Sequence, residues 1–113
     1  GDEIGEYNAN CAGCFGTNIG PWKTTPVGYY RPNPFGLFDM LGNAFQYVAD
    51  CWHKNYAGAP SDGRPWTDPV CDDAVFRGGG WASSAWAVRS ARRAHFSKAQ
   101  GNASQGFRVA KTM

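Results

Sequence analysis

The alternation of hydrophobic and polar residues is clearest over residues 45–50. Phe45, Tyr47 and Ala49 would point to one side of an extended chain, and the residues between them, which include Val48, would point to the other. Because successive side chains of a strand lie on opposite faces, this pattern predicts a strand with both faces at least partly covered. The Gly-Asn pair just before it is typical of a tight turn.

Weaker patterns predict three more short strands. Residues 27–30, 75–81 and 106–110 are rich in strand-forming side chains, and Phe107 and Val109 are expected to point inward. Three consecutive glycines interrupt the 75–81 strand. Glycines in that position usually mark a bulge or a place where another chain segment passes very close.

The rest of the chain is predicted to be mainly loop. Residues 1–26 are polar and rich in glycine, and they predict an ordered loop without a regular element. Residues 35–40 are compatible with one helical turn, which is too short to be stable alone. A long excursion covers residues 53–73, and loops of that length usually have a function or a covalent anchor. Residues 82–105 are small and polar.

Composition limits the chain to one domain, residues 1–113, with one modest core. Aromatic residues make up 15% of it, whereas aliphatic residues are few, so the core is expected to be aromatic. The net charge of +2 gives no reason to expect nucleic acid, and no apolar run is long enough to span a bilayer.

Four cysteines suggest covalent anchors. An even number in a short, glycine-rich chain favours disulfides and an oxidising compartment. Cys51 and Cys71 flank the long excursion, and a bond between them would anchor it. Cys11 and Cys14 could bridge each other, bind a metal or act as a redox pair.

Three sequence blocks resemble one family. Residues 33–52 read NPFGLFDMLGNAFQYVADCW, residues 76–81 read FRGGGW, and the third block combines RSARR at 89–93 with GFRV at 106–109. They resemble the C-terminal half of a formylglycine-generating-enzyme, or sulfatase-modifying-factor (FGE-sulfatase), domain. The resemblance implies an α+β, C-type-lectin-like fold that is loop-rich, has short strands and little helix, and forms an incomplete half of the full domain.

The resemblance also shows a difference in chemistry. Family members that generate formylglycine hold copper with two cysteines beyond the second block. No cysteine follows Cys71 here, and Ser83 stands at the position of the first one. A hydroxyl replaces a thiolate poorly, both as a ligand of Cu(I) and as a reactant. We therefore expect neither copper nor formylglycine-generating activity.

The family further implies calcium. One set of ligands would be the side chain of Asp39, the carbonyls of Gly42 and Ala44, and the side chain of Gln46, where the family has a carboxylate. Loss of that charge would weaken the site, since calcium affinity rises with ligand charge. Asp39 could instead only cap the turn.

A second family calcium site would involve Asn10 and the carbonyl of Cys11. Its remaining side-chain ligand is replaced near Ile19.

Two functions remain open. The first is a non-catalytic module that binds a protein or small-molecule ligand or serves as a structural subunit. It would be exported to the periplasm, the cell envelope or the extracellular space. We expect it to work beside an N-terminal fragment or within a larger parent chain. The candidate contact residues lie between positions 81 and 95: Trp81, Ser83, Ser84, Trp86, Arg89, Arg93 and His95. Small residues, arginines and exposed aromatics suit such a surface, although Trp81 and Trp86 could equally belong to the core.

The alternative is an oxidative maturation enzyme that acts on a peptide or protein without the cysteine pair. It would need an acid or a base. Asp50, His53, Asp72 and His95 are candidates, but no motif supports them, and a lone histidine is more often structural than catalytic.

Overall fold

The computed structural model describes residues 4–5, 8–14 and 22–111. Its regular elements are four strands and one short 3-10 helix: β1 (Phe45–Cys51), β2 (Asp73–Arg77), the 3-10 helix (Ala85–Val88), β3 (Ala94–Ser97) and β4 (Gln105–Phe107). The strands form one sheet in the order β3-β2-β1-β4. Strand β2 pairs antiparallel with both β1 and β3, and β4 pairs parallel with β1.

Strand β1 confirms the clearest prediction from the sequence. Phe45 and Tyr47 lie on one face of the sheet, where they meet Phe76 of β2 and Phe96 of β3 in edge-to-face contacts with centroid distances of 4.8–5.7 Å. This geometry suits the quadrupoles of the rings. On the other face Val75 is completely buried. In this ring cluster Phe76 is buried but Tyr47 is 40% exposed, and most other buried side chains are small or aliphatic, so the aromatic core that the composition indicated is only partly present.

The glycine run after β2 passes close to another segment, which confirms that prediction. Gly78 and Gly79 have φ angles of 85° and 69°, which end the strand at Arg77 because ordinary residues rarely adopt them. A Cβ on Gly78 would lie 2.7 Å from the carbonyl oxygen of Met40. The predicted strand over 75–81 is therefore shifted to Asp73–Arg77.

Two predicted local elements are wrong. Residues 27–30 form a turn, in which the amide of Tyr29 donates to the carbonyl of Pro26. Residues 35–40 contain no helical turn. The side chain of Asn33 accepts hydrogen bonds from the amides of Phe35 and Leu37, both at 3.0 Å. A polar side chain that takes up backbone donors in this way favours a turn over a helix.

The C-terminal prediction is wrong in its orientation. Strand β4 lies at the edge of the sheet and ends at Phe107. Phe107 is 81% exposed and Val109 is 84% exposed, so neither points into the core. Strand β3 and the 3-10 helix both fall in the 82–105 stretch, where no element was predicted.

Both disulfides are present, and they involve all four cysteines. The Cys51–Cys71 bond has a Cα–Cα distance of 5.5 Å and anchors the excursion, as predicted. Cys11 and Cys14 bridge each other and form a small core with Val88, against which Leu41 packs. Within the described ranges, no helix is long and apolar enough to cross a membrane.

Candidate functional site

The structure separates the predicted contact residues into three places. Trp81, Ser83 and Ser84 lie in the loop after β2, where the carbonyl of Ser83 accepts from the amide of Ala12 in the disulfide loop at 2.8 Å. Ser83 closes a turn, because its Oγ accepts from the amide of Gly80 at 3.0 Å and its own amide donates to the Gly80 carbonyl at 2.9 Å. Trp81 is half-buried, and its indole N–H donates to Ala103 at 3.4 Å. The side chains of Ser83 and Trp81 therefore stabilise the fold, whereas Ser84 is exposed.

Trp86 instead forms an exposed platform on the 3-10 helix. Its side chain is 59% exposed. The guanidinium groups of Arg89 and Arg92 lie over the ring, at 5.5 Å and 5.1 Å from its centroid. The arrangement is a cation–π cluster open to solvent. Trp86 therefore does not belong to the core.

Arg93 and His95 lie at a second aromatic cluster, next to Trp52 and Tyr56. The guanidinium of Arg93 lies 4.7 Å from the Trp52 ring and 4.3 Å from the Tyr56 ring. His95 stacks on the same Trp52, with a centroid distance of 4.2 Å. Neither aromatic partner was singled out in the sequence, because their approach to β3 depends on how the excursion folds.

A cavity of about 400 Å³ lies beside this cluster, and we name it the arginine pocket. It lies where the end of β1, the excursion, β2 and the start of β3 meet. Its polar and aromatic lining residues are Asp50, Tyr56, Arg64, Trp66, Arg77 and Arg93.

Residues of the excursion form one wall of the pocket, and hydrogen bonds to strand β1 hold this wall in place. The amide of Trp66 donates to Oδ1 of Asp50 at 2.8 Å, and the amide of Cys51 donates to the carbonyl of Trp66 at 2.9 Å. Together with the Cys51–Cys71 bond, these contacts fix the excursion against the sheet.

The two candidate histidines each pair with an aspartate that was not among the candidates. His53 Nε2 lies 2.7 Å from Asp68, and the ring stacks on Trp66 at 3.6 Å. His95 Nδ1 lies 2.9 Å from Asp73. A carboxylate that holds one ring nitrogen fixes the tautomer and the orientation of the ring.

Neither carboxylate partner was identified in the sequence, since each pair joins distant segments. Asp50 instead binds the amide of Trp66, and Asp72 is exposed.

In the first predicted calcium set, both side chains that would bind the ion make hydrogen bonds within the protein. Oδ2 of Asp39 accepts from the amide of Gly28 at 2.7 Å. The amide nitrogen of Gln46 donates to the carbonyl of Asp39, and its oxygen accepts from Nε of Arg108 at 2.9 Å. Arg108 also donates to the carbonyl of Phe38. A permanent positive charge at a ligand oxygen opposes a calcium ion. Calcium at Asp39, with the carbonyls of Gly42 and Ala44, stays a prediction.

The second predicted set offers one unsatisfied oxygen. Asn10 is 1% exposed, and its Oδ1 has no hydrogen-bond partner among the described residues. Its Nδ2 donates to the carbonyl of Lys23 at 2.9 Å. Ile19 lies outside the described residues. The oxygen chemistry of Asn10 suits calcium, and this site also stays a prediction.

Next to Asp39, one tyrosine has a shifted pKa. Burial, with contributions from Tyr29 and Asp39, raises the pKa of the Tyr30 phenol. Tyr30 therefore stays neutral at physiological pH and adds no charge to the loop.

Comparison with known proteins identifies the family. The sulfatase-modifying factor enzyme 1-like (FGE-sulfatase) domain matches residues 1–113. The chain belongs to the FGE-sulfatase family. The resemblance drawn from the three sequence blocks is thus confirmed.

Among curated proteins, the chain is similar to the serine/threonine-protein kinase pkn1 of Chlamydia caviae. The two are 34% identical over 90 residues, which cover 78% of this chain and 15% of the relative. It is also similar to the formylglycine-generating enzyme of Bos taurus, at 30% identity over 90 residues, 77% of this chain and 24% of the enzyme. The chain therefore corresponds to a minor part of each relative.

Solved structures support the FGE-sulfatase fold. PvdO from Pseudomonas aeruginosa superposes with a TM-score of 0.80 and 38% identity over 89% of this chain and 38% of PvdO. Treponema denticola variable protein 1 gives a TM-score of 0.67 and 27% identity over 89% of this chain and 34% of that protein. The predicted fold class is confirmed, and the described part contributes strands, loops and a single 3-10 turn to it.

Proposed function

We propose that this chain is a ligand-binding module of the FGE-sulfatase family that acts without thiol chemistry. The observation that carries the proposal is the state of the cysteines, because all four are held in two disulfides. Ser83, at the position of the first family cysteine, uses its hydroxyl to hold a turn. Copper-dependent oxidation through thiolates needs a free, soft sulfur ligand, which this arrangement does not offer.

Arginine and aromatic side chains supply the binding surface in this proposal. Trp86 with Arg89 and Arg92 forms one exposed cluster, and Arg93 with Trp52 forms another. Tryptophan and arginine dominate the binding energy of many interfaces, since they combine a large apolar area with directional donors. The ligand would be a protein or a small molecule that meets these clusters.

The histidine–aspartate pairs support a second candidate, a cysteine-independent oxidative maturation enzyme acting on a peptide or protein. His95 is oriented by Asp73, and both side chains are partly exposed. Such a pair could serve as a general base. A His95→Gln variant separates the two functions, since it would abolish turnover of a substrate but leave binding at Trp86 intact.

An exposed apolar groove supports a further part of the proposal, a larger parent chain. The groove has a volume of about 660 Å³. Its apolar lining includes four exposed side chains: Val27, Leu37, Phe38 and Phe107. Exposed apolar patches of this kind usually mark a contact surface. Because the chain spans 15–38% of the relatives described above, we propose that another segment of a longer family domain covers the groove.

The disulfides support a proposal for the compartment. Two bonds in a small domain fit an oxidising environment. We therefore propose an exported protein, located in the periplasm, the cell envelope or the extracellular space.

Disulfide mapping tests the proposal. The full-length protein would be unfolded without reductant, alkylated, digested and analysed by mass spectrometry. The proposal predicts linked peptides for Cys51–Cys71 and Cys11–Cys14 and no alkylated cysteine in this chain. Free thiols at these positions would remove both the argument against thiol chemistry and the argument for export.

A further inference from the structure

The arginine pocket contains more positive than negative charge. Three guanidinium groups, from Arg64, Arg77 and Arg93, face one carboxylate, that of Asp50. Arg64 is exposed and forms only a long surface pair with Asp62, at 3.6 Å. Pairs of that kind contribute little.

Arg93 is held in place but has free donors. Its side chain is half-buried, and its guanidinium lies over the rings of Trp52 and Tyr56. No hydrogen bond and no carboxylate at ion-pair distance links it to any residue in the described part of the chain. The guanidinium lies over two rings and its N–H donors have no partner among the described residues, and such an arginine suits recognition of a planar anion.

Arg77 adds a second half-buried cation at the end of β2. One of its terminal nitrogens donates to the carbonyl of Ser90 at 3.1 Å. Across residues 4–5, 8–14 and 22–111, no carboxylate lies at ion-pair distance from it. Burying a cation without a counter-charge costs free energy, so two such arginines beside one cavity indicate an anion from outside.

The other walls of the pocket are apolar. Tyr56, Trp66, Pro60 and Pro65 line it. Rings and prolines favour a ligand with a flat or compact apolar body. Asp50 does not neutralise the cations, since it accepts from the amide of Trp66 and makes no ion pair with a described residue.

We propose that the arginine pocket binds a small organic carboxylate, with the carboxylate between Arg77 and Arg93 and the apolar body against Tyr56 and Trp66. This assignment rests on the proposed binding function and names the ligand class for one of its sites. Arginine suits the role because its donors can bind both carboxylate oxygens at once. The Trp86 cluster is a separate surface, since Trp86, Arg89 and Arg92 do not line the arginine pocket.

Nuclear magnetic resonance of the full-length protein tests the pocket. Side-chain Nε–Hε signals would be followed during titration with benzoate and with benzamide, its neutral analogue of the same shape. We expect benzoate to shift the signals of Arg77 and Arg93 and to bind about tenfold or more tightly than benzamide. Arg93→Gln should lower the affinity for benzoate by about tenfold, and Arg77→Gln should also lower it.

Arg31→Gln is the matched control, because Arg31 is an exposed arginine that does not line the arginine pocket. It should leave benzoate affinity within about twofold. Equal affinity for benzoate and benzamide would contradict the proposal that the pocket binds a carboxylate. Unchanged benzoate affinity in Arg93→Gln would contradict it as well. Signal shifts confined to Arg89 and Arg92 also contradict carboxylate binding in the arginine pocket. They do not contradict the proposed binding function, which is tested separately by disulfide mapping.

Discussion

At the residue scale, the family signature works mainly through backbone geometry. Gly42 and Asn43 have φ angles of 75° and 66°. The amide of Asn43 donates to the carbonyl of Asn10 at 2.8 Å, and the Asn43 side chain accepts from the amide of Thr25 at 2.9 Å. Asn43 is only 6% exposed. The turn therefore ties two earlier segments of the chain to the start of β1.

A Gly42→Ala substitution should be strongly destabilising. Its φ angle is 75°, and a Cβ would overlap the backbone carbonyl of Asn10, which cannot move easily. We expect a loss of about 2–4 kcal/mol in the free energy of unfolding, measured by urea denaturation. Gly58→Ala is the control, since Gly58 has a φ angle of 80° with open space around it, and it should lose about 1 kcal/mol. Equal losses would show that the contact with Asn10 contributes nothing.

At the element scale, the sequence pattern predicted a strand where the residues themselves favour one and missed a strand that forms through pairing with distant residues. Strand β1 was predicted because its alternation is clear. Strand β3 was missed, since Ala94–Ser97 has weak strand character and forms through pairing with β2. Phe107 was expected to point inward, but β4 is an edge strand and its outer side is uncovered.

The candidate site was predictable only in part, for a related reason. Arg93 and His95 were selected by residue type. Trp52, Tyr56 and Arg77 were missed, because the pocket exists only after the excursion is fixed against the sheet by contacts between distant segments. Periodicity carries no information on such contacts.

Loss of the Cys51–Cys71 bond should release the excursion. The bond joins residues 20 positions apart, so loop closure predicts a loss of about 3 kcal/mol for a Cys51→Ala, Cys71→Ala double variant. Limited proteolysis should then cut within residues 53–70. A Cys11→Ala, Cys14→Ala variant, which opens a separation of only 3, should leave this segment protected. Protection of 53–70 in both variants would contradict the proposed role of the Cys51–Cys71 bond.

At the scale of the whole molecule, the sheet has one incompletely covered side. The apolar groove beside β4 contains Phe107, Leu37 and Phe38, and the chain spans 15–38% of the relatives described above. A second part of a longer domain would bury this surface.

A Phe107→Ser substitution measures that burial. If another segment covers the groove, the variant of the full-length protein should lose about 1.5–3 kcal/mol of unfolding free energy. Val70→Ser is the control, since Val70 is 74% exposed and lies outside the groove; it should change stability by less than about 0.5 kcal/mol. A cost as small for Phe107 as for Val70 would show that the groove stays open.

We propose that this family member binds a ligand and does not oxidise one through metal-bound thiolates. Elemental analysis of the full-length protein, purified in air and then offered Cu(I), tests it most directly. We predict copper and iron far below one equivalent per chain, because every cysteine of this chain is in a disulfide. One equivalent of copper or iron that persists through dialysis against a competing chelator would contradict the account.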